Sequence, residues 1–273
     1  MPQLSALLIL IIALTASPFV KAQPAIISDP ISLALSNCNA TLTNHYAGLN
    51  NPAGLASIEK LGFTFIGERR YNIKELSSAA ITLAMPTKYG TCGCVGSRTG
   101  FATWHSSRYG AAFARNFGKQ VLAAIQLNYW SEYQVNAGTF SNISSQVGVI
   151  YLPSQNLSIG INILNPEQSS IDYGQYTMPI PSVFSIGTAW KALDSATLFL
   201  QINNEMPNNT NITTAIEGLV YQNIFLRGGY SFTQQEVSAG CGISVKSLQI
   251  NMGILSRQPL GLLTNASIAW ICK

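Results

Sequence analysis

The stretch VLAAIQLNY, residues 121–129, contains the pattern that decides the fold of this chain. Val121, Ile125 and Leu127 occupy alternate positions, and Gln126 and Asn128 fall between them. Successive side chains of an extended strand point to opposite faces, so this order predicts a strand with one apolar and one polar face. The same alternation recurs later in the chain, at residues 157–163, 196–203, 237–245 and 248–254.

Strand-like runs continue from Leu61 to the C-terminus and number about fourteen, with about twelve as the alternative. Several have the roughly 9 to 11 residues that a tilted strand needs to cross a bilayer. After residue 22, no stretch reaches the roughly 18 consecutive apolar residues of a membrane-spanning helix. The sequence therefore predicts an all-β, transmembrane antiparallel barrel over residues 59–273, with strands at 61–70, 77–86, 94–105, 109–117, 121–133, 145–153, 157–165, 181–192, 196–203, 213–221, 224–232, 236–245, 248–256 and 263–272.

The composition is unusual for a soluble protein. Only 10% of the 273 residues are charged and 47% are hydrophobic, whereas roughly a quarter of the residues in a typical soluble domain are charged. The net charge of +4 is scattered without a basic run, which argues against a nucleic acid as partner. Neutral Asn, Gln, Ser and Thr supply most of the polarity, as expected for the inner wall of a membrane barrel.

The connections between the predicted strands alternate in length. Short turns are predicted at 118–120, 154–156, 193–195, 222–223 and 246–247, and longer loops at 134–144, 166–180, 204–212 and 257–262. Short periplasmic turns opposite longer external loops are typical of outer-membrane barrels. Aromatic residues near the strand ends are expected to form the girdles of such a barrel; these are Tyr129, Trp130, Tyr133, Tyr151, Trp190, Tyr221, Tyr230, Phe232 and Trp270.

The N-terminal segment is predicted to be processed. Residues 4–20 are mostly apolar and lead to the small-residue pattern Val20-Lys21-Ala22, which predicts a secretory signal peptide over residues 1–22. No Lys or Arg precedes the apolar stretch, so a membrane anchor is the alternative. Residues 23–58 have no sustained period and are interpreted as an arm or plug.

A short motif, Asn51-Pro52-Ala53-Gly54, separates this plug from the predicted barrel. Pro52 has a fixed φ and disfavours a helical conformation at Asn51, and Gly54 is free to take a positive φ. The motif is therefore expected to reverse the chain where the plug meets the first strand and to hold the plug against the barrel wall.

The motif residues Asn51 to Ala56, placed after an Ala/Ser-rich arm and before some fourteen strands, resemble the FadL superfamily of outer-membrane barrels. Two further segments, Leu83 to Thr87 and Tyr109 to Gly118, are similar to its compact Bacteroidetes branch, the PorV and PorQ proteins. The resemblance covers essentially the whole mature chain, although the chain is short for the group and ends in Lys273 rather than an aromatic residue.

The resemblance implies passive transport of a small hydrophobic or amphiphilic solute across a bacterial outer membrane, through a partly plugged lumen. It also leaves two alternatives: an accessory component of type IX protein secretion, which would bind secretion-system proteins, and a structural barrel without transport. The expected partners are outer-membrane lipid and the barrel-assembly machinery, for which Trp270 is a candidate contact. No cofactor is expected.

Candidate chemistry is sparse. His105 precedes Ser106 and Ser107, but no acidic partner or nucleophile-elbow spacing accompanies them, so the chain is not expected to be an enzyme. The five cysteines lack the spacing of a metal site or a disulfide framework and are expected to be unpaired core or turn residues. Arg227 and Glu217 are predicted to face the lumen and to pair, because a charge facing lipid costs about 2 to 4 kcal/mol.

Overall fold

The computed structural model describes residues 26–174, 176–206 and 209–272; the predicted signal peptide at 1–22 and the first three residues of the predicted plug, 23–25, lie outside them. Fourteen strands form one closed antiparallel barrel, which confirms the predicted fold class and strand number. The barrel strands are β1 Gly62–Arg70, β2 Ser77–Thr87, β3 Gly90–Gly100, β4 Trp104–Phe117, β5 Val121–Gln134, β6 Gly138–Ser154, β7 Leu157–Leu164, β10 Val183–Leu193, β11 Ala196–Glu205, β12 Asn209–Tyr221, β13 Ile224–Ser231, β14 Glu236–Val245, β15 Leu248–Arg257 and β16 Gly261–Ile271.

Each barrel strand pairs with its sequence neighbour, except that β7 pairs with β10. The short strands β8 Ser170–Asp172 and β9 Thr177–Pro179 form a separate hairpin between these two. The barrel closes where β1 pairs with β16, with Gly62 opposite Ile271 and Arg70 opposite Leu263. Closure gives every strand two hydrogen-bonded neighbours and removes the sheet edges.

The two ends of the barrel differ in their connections. At one end, here the turn end, connections of two or three residues join the strands, at 88–89, 118–120, 155–156, 194–195, 222–223 and 246–247. The opposite end, here the loop end, carries a long connection at 165–182, which includes the β8–β9 hairpin. It also carries the 3₁₀ helix Lys74–Leu76.

Three of the four predicted long loops are wrong. β5 and β6 extend to Gln134 and from Gly138, so the predicted loop at 134–144 shrinks to 135–137. In the predicted loop at 204–212, β11 extends to Glu205 and β12 begins at Asn209, and the predicted loop at 257–262 shrinks to 258–260. Polar residues here continue the strand pairing, for example Asn142 opposite Trp130, because ladder hydrogen bonds involve only the backbone.

The strand faces follow the predicted alternation. Gln126 and Asn128 point into the barrel and are almost fully buried, whereas Ile125 and Leu127 point outward and are 55% and 57% exposed. Seven of the nine aromatic residues expected in girdles are exposed on the outside, namely Tyr129, Tyr151, Trp190, Tyr221, Tyr230, Phe232 and Trp270. Trp130 is an exception: its side chain is buried inside the barrel, where Nε1 donates to Ser144 Oγ at 2.9 Å.

Residues 26–58 lie inside the barrel and are mostly buried; they are called the plug below. The plug contains the helix α1 Pro30–Ala34 and the 3₁₀ helices Ala47–Leu49 and Pro52–Ser57. α1 forms because the carboxylate of Asp29 accepts hydrogen bonds from the N–H groups of Ile31 and Ser32, and because Pro30 suits the first helical position. Among the described residues, no helix is long and apolar enough to cross a membrane.

Candidate functional site: a plugged lumen with two cavities

Asn51 joins three parts of the structure and is completely buried. Its Oδ1 accepts the N–H of Ala53 at 3.1 Å and so caps the 3₁₀ helix Pro52–Ser57. Its Nδ2 donates to the carbonyl of Ala40 in the plug at 2.6 Å and to that of Ile161 in the wall at 3.2 Å. One amide therefore connects the motif, the preceding part of the plug and strand β7.

Gly54 is required by close packing. It lies within a 3₁₀ helix and does not have the positive φ that the sequence allowed. A Cβ at this position would lie 2.1 Å from the carbonyl oxygen of Leu42 and 3.0 Å from Ala47 Cβ. Ala53 of the motif packs with Leu55 and Ala56 against alanines of the β2, β4 and β5 wall, and Pro52 begins the 3₁₀ helix that carries these residues.

The barrel wall meets the plug backbone at several further points. Gln201 Oε1 accepts the N–H groups of Asn39 and Ala40, each at 2.8 Å. The hydroxyl of Ser238 donates to the carbonyl of Ala34 and accepts the N–H of Ser36. Buried backbone groups need partners, and these side chains from β11 and β14 supply them to a segment with little regular structure.

A network of amides surrounds the buried Arg108, which sequence reasoning did not single out. Arg108 donates to Asn128 Oδ1 and to Gln146 Oε1, both at 2.9 Å, and its guanidinium lies 5.2 Å from the Trp130 ring. Gln126 Nε2 in turn donates to the plug carbonyl of Gly48 at 3.0 Å. The alternating pattern in the sequence indicates that Gln126 and Asn128 point inward. It does not show that they form hydrogen bonds with Arg108 and the plug.

Arg227 points into the barrel, 8% exposed. Its Nε donates to Glu217 Oε2 at 2.6 Å, and these two residues are register partners on β12 and β13. Its Nη1 also donates to Asn251 Oδ1 at 3.1 Å. The pair lies beside the turn end of the lumen and not in direct contact with the Asn51 motif.

The plug separates two cavities of similar size. The turn-end cavity has a volume of about 460 Å³, and its charged lining residues are Lys191, Glu217 and Arg227. The loop-end cavity has a volume of about 500 Å³. Its lining is rich in side-chain amides, namely Asn37, Asn39, Asn50, Gln146, Asn162, Asn203, Asn211 and Gln234.

Three titratable side chains of the plug are held in their uncharged form. Burial raises the pKa of the Cys38 thiol to about 11 and raises the pKa of the Tyr46 phenol. Burial lowers the pKa of His45, against the opposing effect of its contact with the Lys60 carbonyl. The plug therefore brings little charge into the lumen at neutral pH.

The remaining sequence candidates lie elsewhere. His105 stands at the loop-end start of β4, where its ring stacks on Tyr133 with centroids 4.9 Å apart. All five cysteines are unpaired, as expected. The expectation of core or turn positions is wrong for Cys94 and Cys241, which are exposed strand residues on the outside of the barrel.

These features define a closed fourteen-stranded β-barrel with an internal plug. Three solved structures share this fold. The toluene transporter TbuX of Ralstonia pickettii has a TM-score of 0.67 and 10% sequence identity, and the match covers 91% of this chain and 98% of TbuX. The toluene transporter TodX of Pseudomonas putida has a TM-score of 0.62 and 10% identity, with 92% of this chain and 98% of TodX covered. A FadL homologue of Pseudomonas aeruginosa has a TM-score of 0.57 and 10% identity, with 91% of this chain and 99% of that protein covered.

The expected resemblance to FadL proteins is thereby confirmed at the level of the fold. At this low identity the likeness extends to the fold alone. No family model matches the sequence, and no curated protein matches it. The similarity to the PorV and PorQ branch stays a prediction.

Proposed function

We propose that this chain is a bacterial outer-membrane barrel that passively transports a small hydrophobic or amphiphilic solute. The observation that carries the proposal is a closed barrel with an apolar outer surface around a plugged lumen that has a cavity on each side of the plug. The toluene transporters TbuX and TodX have the same fold and support this class of solute.

The outer surface supports a membrane location. Phe65, Leu127 and Met252, on three different strands, are 58%, 57% and 56% exposed, and so large an apolar surface would be unfavourable in water. A closed barrel satisfies its backbone hydrogen bonds internally, as hydrocarbon requires. In this proposal, the predicted signal peptide at 1–22 directs export, and the barrel-assembly machinery inserts the chain into the outer membrane. Outer-membrane lipid then surrounds the barrel.

The plug gives the lumen a closed state. Its bonds to β7, β11 and β14 hold it across the lumen, so solute movement between the two cavities requires a rearrangement of the plug or the wall. The proposed transport is passive and needs no catalytic residue and no cofactor.

Purified protein in liposomes tests the proposal. Because toluene partitions into plain lipid, the liposomes carry lipopolysaccharide in their outer leaflet as a barrier. We expect the folded barrel to raise the initial rate of radiolabelled toluene uptake above that of empty liposomes, whereas uptake of glutamate, a small charged solute, should not rise. Folding is checked by the shift in gel mobility on boiling that folded outer-membrane barrels show. Equal toluene uptake with and without a folded barrel would contradict the proposed transport.

A role in type IX secretion remains the second candidate. The loop end exposes Phe101, Val135 and Tyr176, with 44%, 43% and 58% of their surface accessible, and exposed apolar side chains favour protein contacts. Affinity purification from the native cells is the test: secretion components that co-purify specifically would favour this candidate, and their absence would leave transport as the better proposal.

A further inference from the structure

Four polar side chains form a row along the wall of the loop-end cavity. They are Asn162 on β7, Ser185 on β10, Asn203 on β11 and Asn211 on β12, and all four line the cavity. Ser185 is the register partner of both Asn162 and Asn203, and Asn203 is the partner of Asn211. Neighbouring strands lie about 4.8 Å apart, so this row, here the amide shelf, spans about 14 Å.

The hydrogen bonds around Asn203 fix the orientation of its amide. Gln201 Oε1 accepts two backbone N–H groups of the plug, so Gln201 Nε2 must be the donor to Asn203 Oδ1 at 2.7 Å. The Nδ2 group of Asn203 therefore remains for the cavity. The orientation of the Gln201 amide is certain because a backbone N–H can only donate, so the atom that it contacts must be the amide oxygen.

Asn162 is oriented in the same way from the other side. The guanidinium of Arg108 donates to Gln146 Oε1, which leaves Gln146 Nε2 as the donor to Asn162 Oδ1 at 2.9 Å. Asn211 Oδ1 is engaged by the hydroxyl of Ser231 at 2.7 Å. Within the described part of the chain, the Nδ2 groups of these three shelf asparagines donate to no protein acceptor, so the shelf presents a row of N–H donors.

The charges around this cavity are balanced by nearby carboxylates. Arg70 pairs with Glu68 at 2.6 Å, and Arg257 pairs with Glu236. Glu205 lines the cavity as well. Each arginine thus already has a carboxylate partner, so an anionic group would gain little here, whereas a neutral oxygen acceptor would not be repelled.

One part of the remaining lining, here the leucine wall, is apolar, and Arg70 and Arg257 lie beside it. Leu33 of the plug packs with Leu255 on β15 and Leu263 on β16, and all three line the cavity. β16 lies seven strands from β7, which carries the Asn162 end of the shelf, whereas β15 lies three strands from β12, which carries the Asn211 end. A ligand spanning the cavity from the Asn162 end of the shelf would therefore meet donors on one side and leucines on the other.

We propose that the loop-end cavity binds a neutral amphiphile whose head group carries several acceptor oxygens, such as a glycoside, with its apolar part against the leucine wall. The shelf supplies the donors for the hydroxyl and ether oxygens, and the leucines bury the alkyl chain. This inference deepens the proposed transport function and rests on it for the biological role, but the binding itself can be measured separately.

The test compares three probes by calorimetry on the barrel in lipid nanodiscs, with empty nanodiscs subtracted to remove partitioning. We expect hexyl glucoside to bind more tightly than hexanoate or toluene. The variant Asn162→Asp/Asn203→Asp keeps the oxygens that accept from Gln146 and Gln201 but removes two donors. It should weaken hexyl glucoside binding about tenfold, because two hydrogen bonds are lost.

Gln249→Glu is the matched control, since it makes the same amide-to-acid change in the turn-end cavity and should leave binding unchanged. If the double variant does not fold, as judged by gel mobility, Ser185→Ala and Asn211→Leu test the shelf instead. Tighter binding of hexanoate or toluene, or no loss of hexyl glucoside binding in the folded shelf variants, would overturn the inference. Normal binding without uptake into liposomes would contradict only the proposed transport.

Discussion

The two halves of the lumen are similar in volume and different in chemistry. The loop-end cavity is lined by amides, and its arginines are paired with glutamates. The turn-end cavity has six side-chain amides against eight at the loop end, and each cavity is lined by three charged residues, Lys191, Glu217 and Arg227 at the turn end and Arg70, Glu205 and Arg257 at the loop end. One barrel wall thus provides two environments because the plug divides it at mid-height.

Removing the plug should have the largest effect on this difference. We expect deletion of residues 26–49 to join the two cavities and to raise the single-channel conductance of the barrel in planar bilayers from near zero to that of an open pore. The barrel should still fold, because its hydrogen bonds run between strands. A deletion variant that folds and stays closed would show that the wall, and not the plug, blocks the lumen.

Gly160→Ala should loosen the plug without removing it. A Cβ at Gly160 would lie 2.0 Å from the carbonyl oxygen of Ala40, and such overpacking typically costs about 1 to 3 kcal/mol. We expect a measurable ion leak and faster proteolysis of the plug. Gly67→Ala is the matched control, because nothing lies within 4 Å of its added Cβ; equal leaks in both variants would contradict the proposed contact.

Arg227→Ala tests the ion pair that lines the turn-end cavity. It removes two hydrogen bonds, to Glu217 and Asn251, and should lower the free energy of unfolding by about 1 to 3 kcal/mol. Urea titration of the barrel in lipid vesicles measures this loss. Lys191→Ala, which removes only an exposed pair with Asp194, should have no measurable effect. An unchanged urea midpoint for Arg227→Ala would show that the pair contributes no stability.

Protonation of His45 at acidic pH should have the smallest effect, a slight loss of stability of the folded plug. Burial lowers its pKa below the ordinary value of 6.5, so the unfolded segment binds a proton more readily than the folded plug. Stability is therefore complete above pH 6.5 and decreases as the pH falls towards the lowered pKa. We expect the ion leak to rise slightly between pH 7.5 and pH 5, and His45→Gln to reduce this rise; identical pH profiles would exclude His45 as the cause.

Much of the barrel follows from the sequence. The alternation in residues 121–129 predicted which side chains point inward, and fourteen such runs predicted the strand number. The strand ends were less predictable: the residues from Gly138 to Ser144 continue the ladder although they lack alternation. Trp130 was assigned to the outer surface because it is aromatic, but its even-numbered position puts it on the inner face with Asn128.

The sequence by itself determined a barrel with an apolar outside, a polar inside and an N-terminal segment ending in Asn51-Pro52-Ala53-Gly54. Only the tertiary structure decided what these parts do together. The bond between Asn51 and Ile161 and the alignment of Asn162, Ser185 and Asn203 join residues far apart in the chain. Period-two alternation fixes the face of each residue, whereas strand register and plug docking arise from contacts between distant segments.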